Sequence, residues 1–126
     1  MNYSSDKGRN GELMTAALLR KNGYIINKMN YRTRFGEIDI IAESKKYIIF
    51  VEVKLRRAGS LVSPAESVDI HKQRRIITAA NEYLGIAHLG DNLQPRFDVC
   101  EITECIGKDR KRIYKLHYIK NAFGIN

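Results

Sequence analysis

Between Gly36 and Lys54 the chain reads GEIDIIAESKKYIIFVEVK, two runs rich in isoleucine and valine parted only by Ser44-Lys45-Lys46. Runs of this composition read as strands, and so short a gap lets them associate only as an antiparallel hairpin. If Lys45 and Lys46 form a two-residue turn, Ser44 faces Tyr47 and paired positions sum to 91. Asp39 then lies opposite Glu52, and Glu37 opposite Lys54. Residues two apart on a strand share a face, so Glu52 and Lys54 project together while Val51 and Val53 project from the other side.

The flanking segments place this hairpin in a larger sheet. From Ser5 to Asn22 the chain reads as a helix capped by Ser5 or Asp6, with Gly23 at the left-handed position after its end and with Gly8 and Gly11 weakening its first turn. Glu12 shares a stripe with Ala16 and Leu19 at helical spacing, an odd place for a lone carboxylate. Tyr24 to Arg32 reads as a further strand, closed by Phe35-Gly36. After a polar stretch, Ser63-Pro64-Ala65-Glu66 has the form of a capping box and predicts a short helical turn. Asp69 is a second cap, for a helix from His71 to Leu84 in which Ile76, Ile77, Ala80, Tyr83 and Leu84 recur at helical spacing and which Gly85 ends. Gly90 to Pro95 reads as loop, and Arg96 to Thr103 and Arg112 to Ile119 as strands about a Gly107-Lys108-Asp109 turn. The order helix, three strands, helix, two strands predicts an α/β fold, a mixed sheet flanked by helices, with residues 47 to 103 as a right-handed parallel crossover.

A chain of 126 residues with 44% hydrophobic content suits one domain over 1–126. No apolar run reaches the roughly 18–20 residues that span a bilayer, and Met1 to Arg9 lacks the apolar middle of a signal peptide, so the expectation is a soluble, cytoplasmic protein with no membrane role. Lys and Arg number 22 against 14 Asp and Glu, for a net charge of +8. That favours a polyanionic partner, nucleic acid foremost, although lysines that only confer solubility give the same balance. Cys100 and Cys105 lack the second cysteine pair of a zinc site and read as buried free thiols.

The charges on the hairpin carry the chemistry. Two carboxylates opposite one another on adjacent strands repel, and a hard divalent cation between them removes the objection. Mg²⁺ takes oxygen ligands, typically one or two carboxylates with water and substrate phosphate, and Mn²⁺ substitutes for it. Asp39 and Glu52 are the candidate metal ligands, with Glu12 as a third or as the group that fixes a coordinated water. Lys54 supplies positive charge near a scissile phosphate, which points to phosphodiester hydrolysis by water. The bland alternative is an ion pair on a solvated sheet face, which an isolated E-x-K in a strand usually is. Arg32, Arg34, Arg56 and Arg57 flank these strands and are candidates for backbone phosphate contacts. Lys72 and Gln73 join them at a helix N-terminus that favours phosphate oxygens, with a solvated helix face as the competing reading. His71, His88 and His117 have no ligand-like spacing, and among the tyrosines only Tyr31 is a candidate stacking platform.

The segments NGELMTAALLRKNGYIINKMNYRTRFGEIDIIA, IIFVEVKLRR, PAESVDIHKQRRIITAANEYL and RFDVCEI together resemble the YraN-like family of predicted endonucleases, over roughly Lys7 to Ile119. That family is similar to archaeal Holliday-junction resolvases and to the PD-(D/E)xK, restriction-endonuclease-like superfamily. The resemblance implies a central mixed sheet flanked by helices. It also implies that Asp39 is the metal-binding aspartate, Glu52 the second acidic ligand, Lys54 the motif lysine and Glu12 the resolvase-like helix glutamate. Ile38 stands where a proline often precedes the aspartate, and the dimeric resolvase-like relatives imply a homodimer. The leading expectation is a Mg²⁺-dependent nuclease acting on DNA in preference to RNA, branched or structured DNA included. The alternatives are a nucleic-acid-binding module of the same fold without catalysis, and an interaction protein whose basic charge is incidental.

Overall fold

A computed structural model describes residues 3–59, 68–87 and 92–124, with side chains from Arg9 onward. Helix α1 spans Tyr3–Lys21, followed by strands β1 (Ile25–Thr33), β2 (Gly36–Glu43) and β3 (Tyr47–Arg57), helix α2 (Ile70–Ile86), and strands β4 (Gln94–Ile106) and β5 (Arg112–Phe123). One sheet holds all five strands in the order β1-β2-β3-β4-β5. β3 and β4 pair in parallel across the α2 crossover, and every other neighbouring pair is antiparallel. The architecture is the restriction-endonuclease-like α/β arrangement that the sequence leads one to expect.

The hairpin turn forms as its residues dictate. The Ser44 hydroxyl accepts from the N–H groups of Lys46 and Tyr47, and Ser44 N–H donates to Tyr47 C=O at 2.9 Å. Pairs run from Glu43↔Ile48 to Ile40↔Val51, the register in which positions sum to 91. Helix α1 ends in a Schellman motif: Tyr24 N–H donates to Leu19 C=O and Gly23 N–H to Arg20 C=O, with Gly23 at φ 89°. Its start lies upstream of the expected caps, so Ser5 and Asp6 fall within the helix. Asp69 caps α2, accepting the N–H of Lys72 at 2.9 Å. Gly85 does not end that helix, which continues to Ile86. The capping box at Ser63 to Glu66, and His88, lie outside the described residues.

The strands outrun their sequence estimates because charged ends find cross-strand partners. β3 continues past Lys54 to Arg57, where Arg56 Nε lies 3.6 Å from Glu101 on β4. Farther along β4, Glu104 meets Arg112 of β5 at 3.2 Å. β4 also begins at Gln94, so the end of the expected loop is strand.

Each helix covers one face. α1 packs Ala16 and Leu19 on Ile40, Ala42, Ile49, Val51, Cys100 and Ile102. α2 packs Ile76, Ala79, Ala80 and Tyr83 on Ile38, Ile41, Ile48, Phe50, Phe97 and Val99. Gly11 lets α1 approach closely, since a Cβ there would sit 3.1 Å from Ile102 Cδ1 and 3.4 Å from Val53 Cγ1. Tyr31 is taken up by this packing, its ring edge-on to Tyr83 at 5.2 Å.

A polar network is buried at the N-terminal end of β4. Arg96 donates from Nε to Asp98 Oδ1 and from Nη2 to Asp98 Oδ2, both at 2.9 Å, and from Nη2 to the Tyr24 hydroxyl. Tyr118 donates its hydroxyl to Asp98 at 2.6 Å, and Asn121, in the left-handed region at φ 53°, donates its N–H. Burial and the Asp98 charge push the Tyr118 hydroxyl far above its ordinary pKa. These bonds satisfy a fully buried carboxylate and tie β4 to β5 and to the start of β1. Asp98→Ala leaves the Arg96 guanidinium buried without its carboxylate, so urea denaturation is expected to show a loss of about 3–5 kcal/mol.

Candidate active site

The β2–β3 ladder stops one residue short of the charges. Beyond Ile40↔Val51 the strands part, and the Asp39 carboxylate lies in the gap, accepting the N–H of Val53 at 2.8 Å. Asp39 and Glu52 therefore meet as the register predicts, through a side chain that replaces a rung of the ladder. Together with Gly36, Glu37, Lys72, Arg75 and Ile76 they line a cleft of about 320 Å³.

Strand alternation breaks at this point. Met29 packs on the α1 side and Tyr31 on the α2 side, and across from them Ile40 and Ile38 divide in the same way. The residues between are Asn30 and Asp39, which face each other. Asn30 has φ 53°, a left-handed conformation that asparagine tolerates better than most residues and that turns the strand over. With its amide nitrogen turned toward the carboxylates, so that donor meets acceptor, Asn30 donates to Glu12 Oε2 at 2.7 Å and Oε1 at 3.1 Å, and to Glu37 Oε1 at 3.1 Å. It thus fixes the helix glutamate beside the sheet. The sequence reading missed it; an asparagine inside a strand, where it is usually depleted, was the available signal.

Glu37 is a correction to the register argument. The strands have parted before it reaches Lys54, and it pairs with its β1 neighbour Arg32 at 3.8 Å as well as with Asn30.

On β3, Glu52 is almost entirely buried, and two ammonium groups address the same oxygen. Lys72 Nζ of α2 lies 2.5 Å from Glu52 Oε1, and Lys54 Nζ lies 3.6 Å from it. Burial and the Glu52 charge push the Asp39 carboxyl up to about 8 against the lowering effect of the Val53 N–H. Glu12 is raised by burial and then by Glu37. Lys54 is lowered by burial and by neighbouring Lys72, whereas for Lys72 the lowering by burial is outweighed by its bond to the Glu52 carboxylate.

Among the described residues no three His, Cys, Asp or Glu side chains converge as a ready-made metal cage. What converges is the pair Asp39 and Glu52, with Glu12 turned to Asn30. A half-buried and a buried carboxylate, one of them reluctant to ionise through desolvation and its neighbour's charge, fit a small divalent cation such as Mg²⁺, which needs only one or two protein ligands.

The candidate phosphate-binding residues are dispersed. Arg32 and Arg34 sit at the exposed β1–β2 end, Arg34 against the Phe35 ring, and Arg57 is exposed at the end of β3. Arg56 is largely buried against Glu101. Gln73 donates to Val68 C=O at 2.9 Å and so braces the entry to α2. Lys72 is the one that enters the cleft, joined by Arg75, which sequence reasoning did not single out as a site residue. Gly36, at φ 153°, lies against Arg75, whose Cβ would be 3.4 Å from an added methyl group.

The family model described as "Uncharacterised protein family UPF0102" matches residues 11–102. The chain belongs to the UPF0102 family. This is the YraN-like family of the sequence resemblance, and the match takes in Glu12, Asp39, Glu52, Lys54 and Lys72. A UPF0102 protein of Alkaliphilus metalliredigens is 44% identical over 120 residues, covering 95% of this chain and 99% of the relative. One from Clostridium perfringens is 43% identical over 123 residues and 98% of each chain, and one from Caldanaerobacter subterraneus is 39% identical over 116 residues, covering 92% of this chain and 93% of the relative. These likenesses establish kinship over nearly the whole chain. No helix among the described residues is long and apolar enough to cross a membrane.

The Asp39 carboxyl has a testable pH signature. Its folded-state value of about 8 stands above the ordinary 3.8, so the folded protein holds a proton that the unfolded chain releases earlier. Stability linked to this group is complete below about pH 4 and is lost as pH rises through about 8. Asp39→Asn, which keeps the acceptor for Val53, should raise stability by on the order of 5 kcal/mol at pH 8 and by little at pH 4, read by urea denaturation at each pH.

Proposed function

We propose that this UPF0102 protein is a metal-dependent nuclease that hydrolyses phosphodiester bonds in DNA, branched or structured DNA included, in the cytoplasm. The observation that carries the reading is the convergence of Asp39, Glu52 and Lys54 at the parted ends of β2 and β3. A protein selected for stability alone gains nothing from setting a half-buried carboxylate beside a buried one. The net charge of +8 supports a polyanionic substrate.

On this reading Asp39 and Glu52 would hold Mg²⁺, or Mn²⁺ in its place. When bound, the ion supplies Lewis-acid polarisation of the phosphate and a more acidic water. The chain's own groups do the rest. Asp39 is kept in the gap by the Val53 N–H and lines the cleft. Lys54, whose ammonium is partly desolvated, stabilises the negative charge that develops on the phosphate. Asn30 holds Glu12 near the same carboxylates, where it orients water. Arg75 and Lys72 offer positive charge at the cleft mouth for the phosphates on either side of the scissile bond.

Purified protein is expected to cut labelled duplex, single-stranded or branched DNA when Mg²⁺ or Mn²⁺ is added. Asp39→Ala, Glu52→Gln and Lys54→Met should each lower the rate by about 10²–10³-fold with unchanged circular dichroism. Salt-sensitive DNA binding without metal-dependent cutting of any substrate would instead select the binding-module reading.

A further inference from the structure

We propose that Lys72 is an exchangeable cation of the cleft: its ammonium holds Glu52 until a divalent ion takes that carboxylate, and then turns to a phosphate of the bound strand. The proposal rests on reading the cleft as a metal-dependent site, and its observations are geometric. Glu52 is 5% exposed and carries two ammonium groups on one oxygen, Lys72 at 2.5 Å and Lys54 at 3.6 Å. Lys54 stands two residues away on the same strand, at the longer distance and with the less exposed side chain, 26% against 35%. Lys72 comes from another element on a long flexible stem, with its side chain 35% exposed. Its backbone is pinned independently, since Asp69 caps its N–H and Gln73 is anchored to Val68. The side chain is therefore free to swing while the helix stays in place.

Charge makes the exchange necessary. With Asp39 and Glu52 both ionised, as a divalent ion requires, Lys54 and Lys72 alone balance them, so the added ion leaves an excess of two positive charges in a half-desolvated cleft. Moving Lys72 off Glu52 relieves part of that excess and vacates the oxygen the ion needs. Beside Lys72 on the cleft wall is Arg75. A DNA phosphate supplies the negative charge that a displaced ammonium seeks there.

Mn²⁺ titration of the full chain, following the electron paramagnetic resonance of free Mn²⁺, tests the exchange. Lys72→Met should bind Mn²⁺ roughly tenfold more tightly than wild type, because the fraction of Glu52 engaged by Lys72 no longer taxes binding. Arg75→Met, which removes a neighbouring charge without freeing Glu52, should change affinity by less than about threefold, and Lys72→Arg should stay equally close to wild type. Equal tightening by Lys72→Met and Arg75→Met, or no tightening by Lys72→Met, overturns the exchange. If wild type binds Mn²⁺ and Asp39→Asn abolishes that binding, the metal reading stands even where the exchange fails; no Mn²⁺ binding by any variant overturns both. For the phosphate step, Lys72→Met should weaken binding of a short duplex about tenfold in Ca²⁺ but less than about twofold in chelator. An equal loss in both conditions overturns the hand-over.

Discussion

The molecule is organised around one substitution of side chain for backbone: where the β2–β3 ladder ends, the carboxylate of Asp39 takes the N–H of Val53. A backbone donor left unpaired in a half-buried sheet costs free energy, so strands part only where something else accepts the bond. Asp39 meets that requirement and is itself positioned by it. The parted strands open the cleft, and the bond occupies one Asp39 oxygen, Oδ2. Helix α2 then closes the far wall with Lys72 and Arg75, while Asn30 brings Glu12 from the opposite layer toward the same point.

Two charged clusters in this fold show how differently buried charge can be handled. Asp98 receives hydrogen bonds from Arg96, Tyr118 and Asn121, and nothing in that network asks for a further partner. At Asp39 and Glu52, burial and then mutual repulsion, moderated by Lys72, keep the Asp39 carboxyl at about 8. The first cluster has the character of a structural fastening. The second retains unspent affinity for positive charge, the property expected of a place where a cation or a substrate is to be received.

Much of this was legible in the sequence. Lys45-Lys46 set the hairpin register, E-x-K set the shared face of Glu52 and Lys54, and Asp69 and Gly23 marked helix ends, because each signal is local and its physics acts over a few residues. The missed features depend on partners far along the chain. The Arg96–Tyr24 bond spans 72 residues. Lys72 reads equally well as a solvated helix residue until α2 is laid over β3. The expected pairing of Glu37 with Lys54 failed because the β2–β3 ladder ends at Ile40↔Val51, next to the point where left-handed Asn30 on β1 turns the alternation over. Similarly, the ends of β3 and β4 were underestimated because Arg56 and Glu104 look like loop residues until Glu101 and Arg112 stand across from them.

The simultaneous change of faces at Asn30 and Asp39 also bears on how the sheet finds its alignment. In an ordinary alternating strand, sliding by two residues returns every side chain to its proper layer, so such errors forfeit little burial. Here the two turnover points must coincide. Were β2 to slide by two along β1, the stretch between the displaced points would send apolar residues into the wrong layer on one strand while its neighbour kept the right one. The kink therefore acts as a key in a lock for strand pairing. The feature that breaks the regularity of the sheet is also the one that forbids its misassembly.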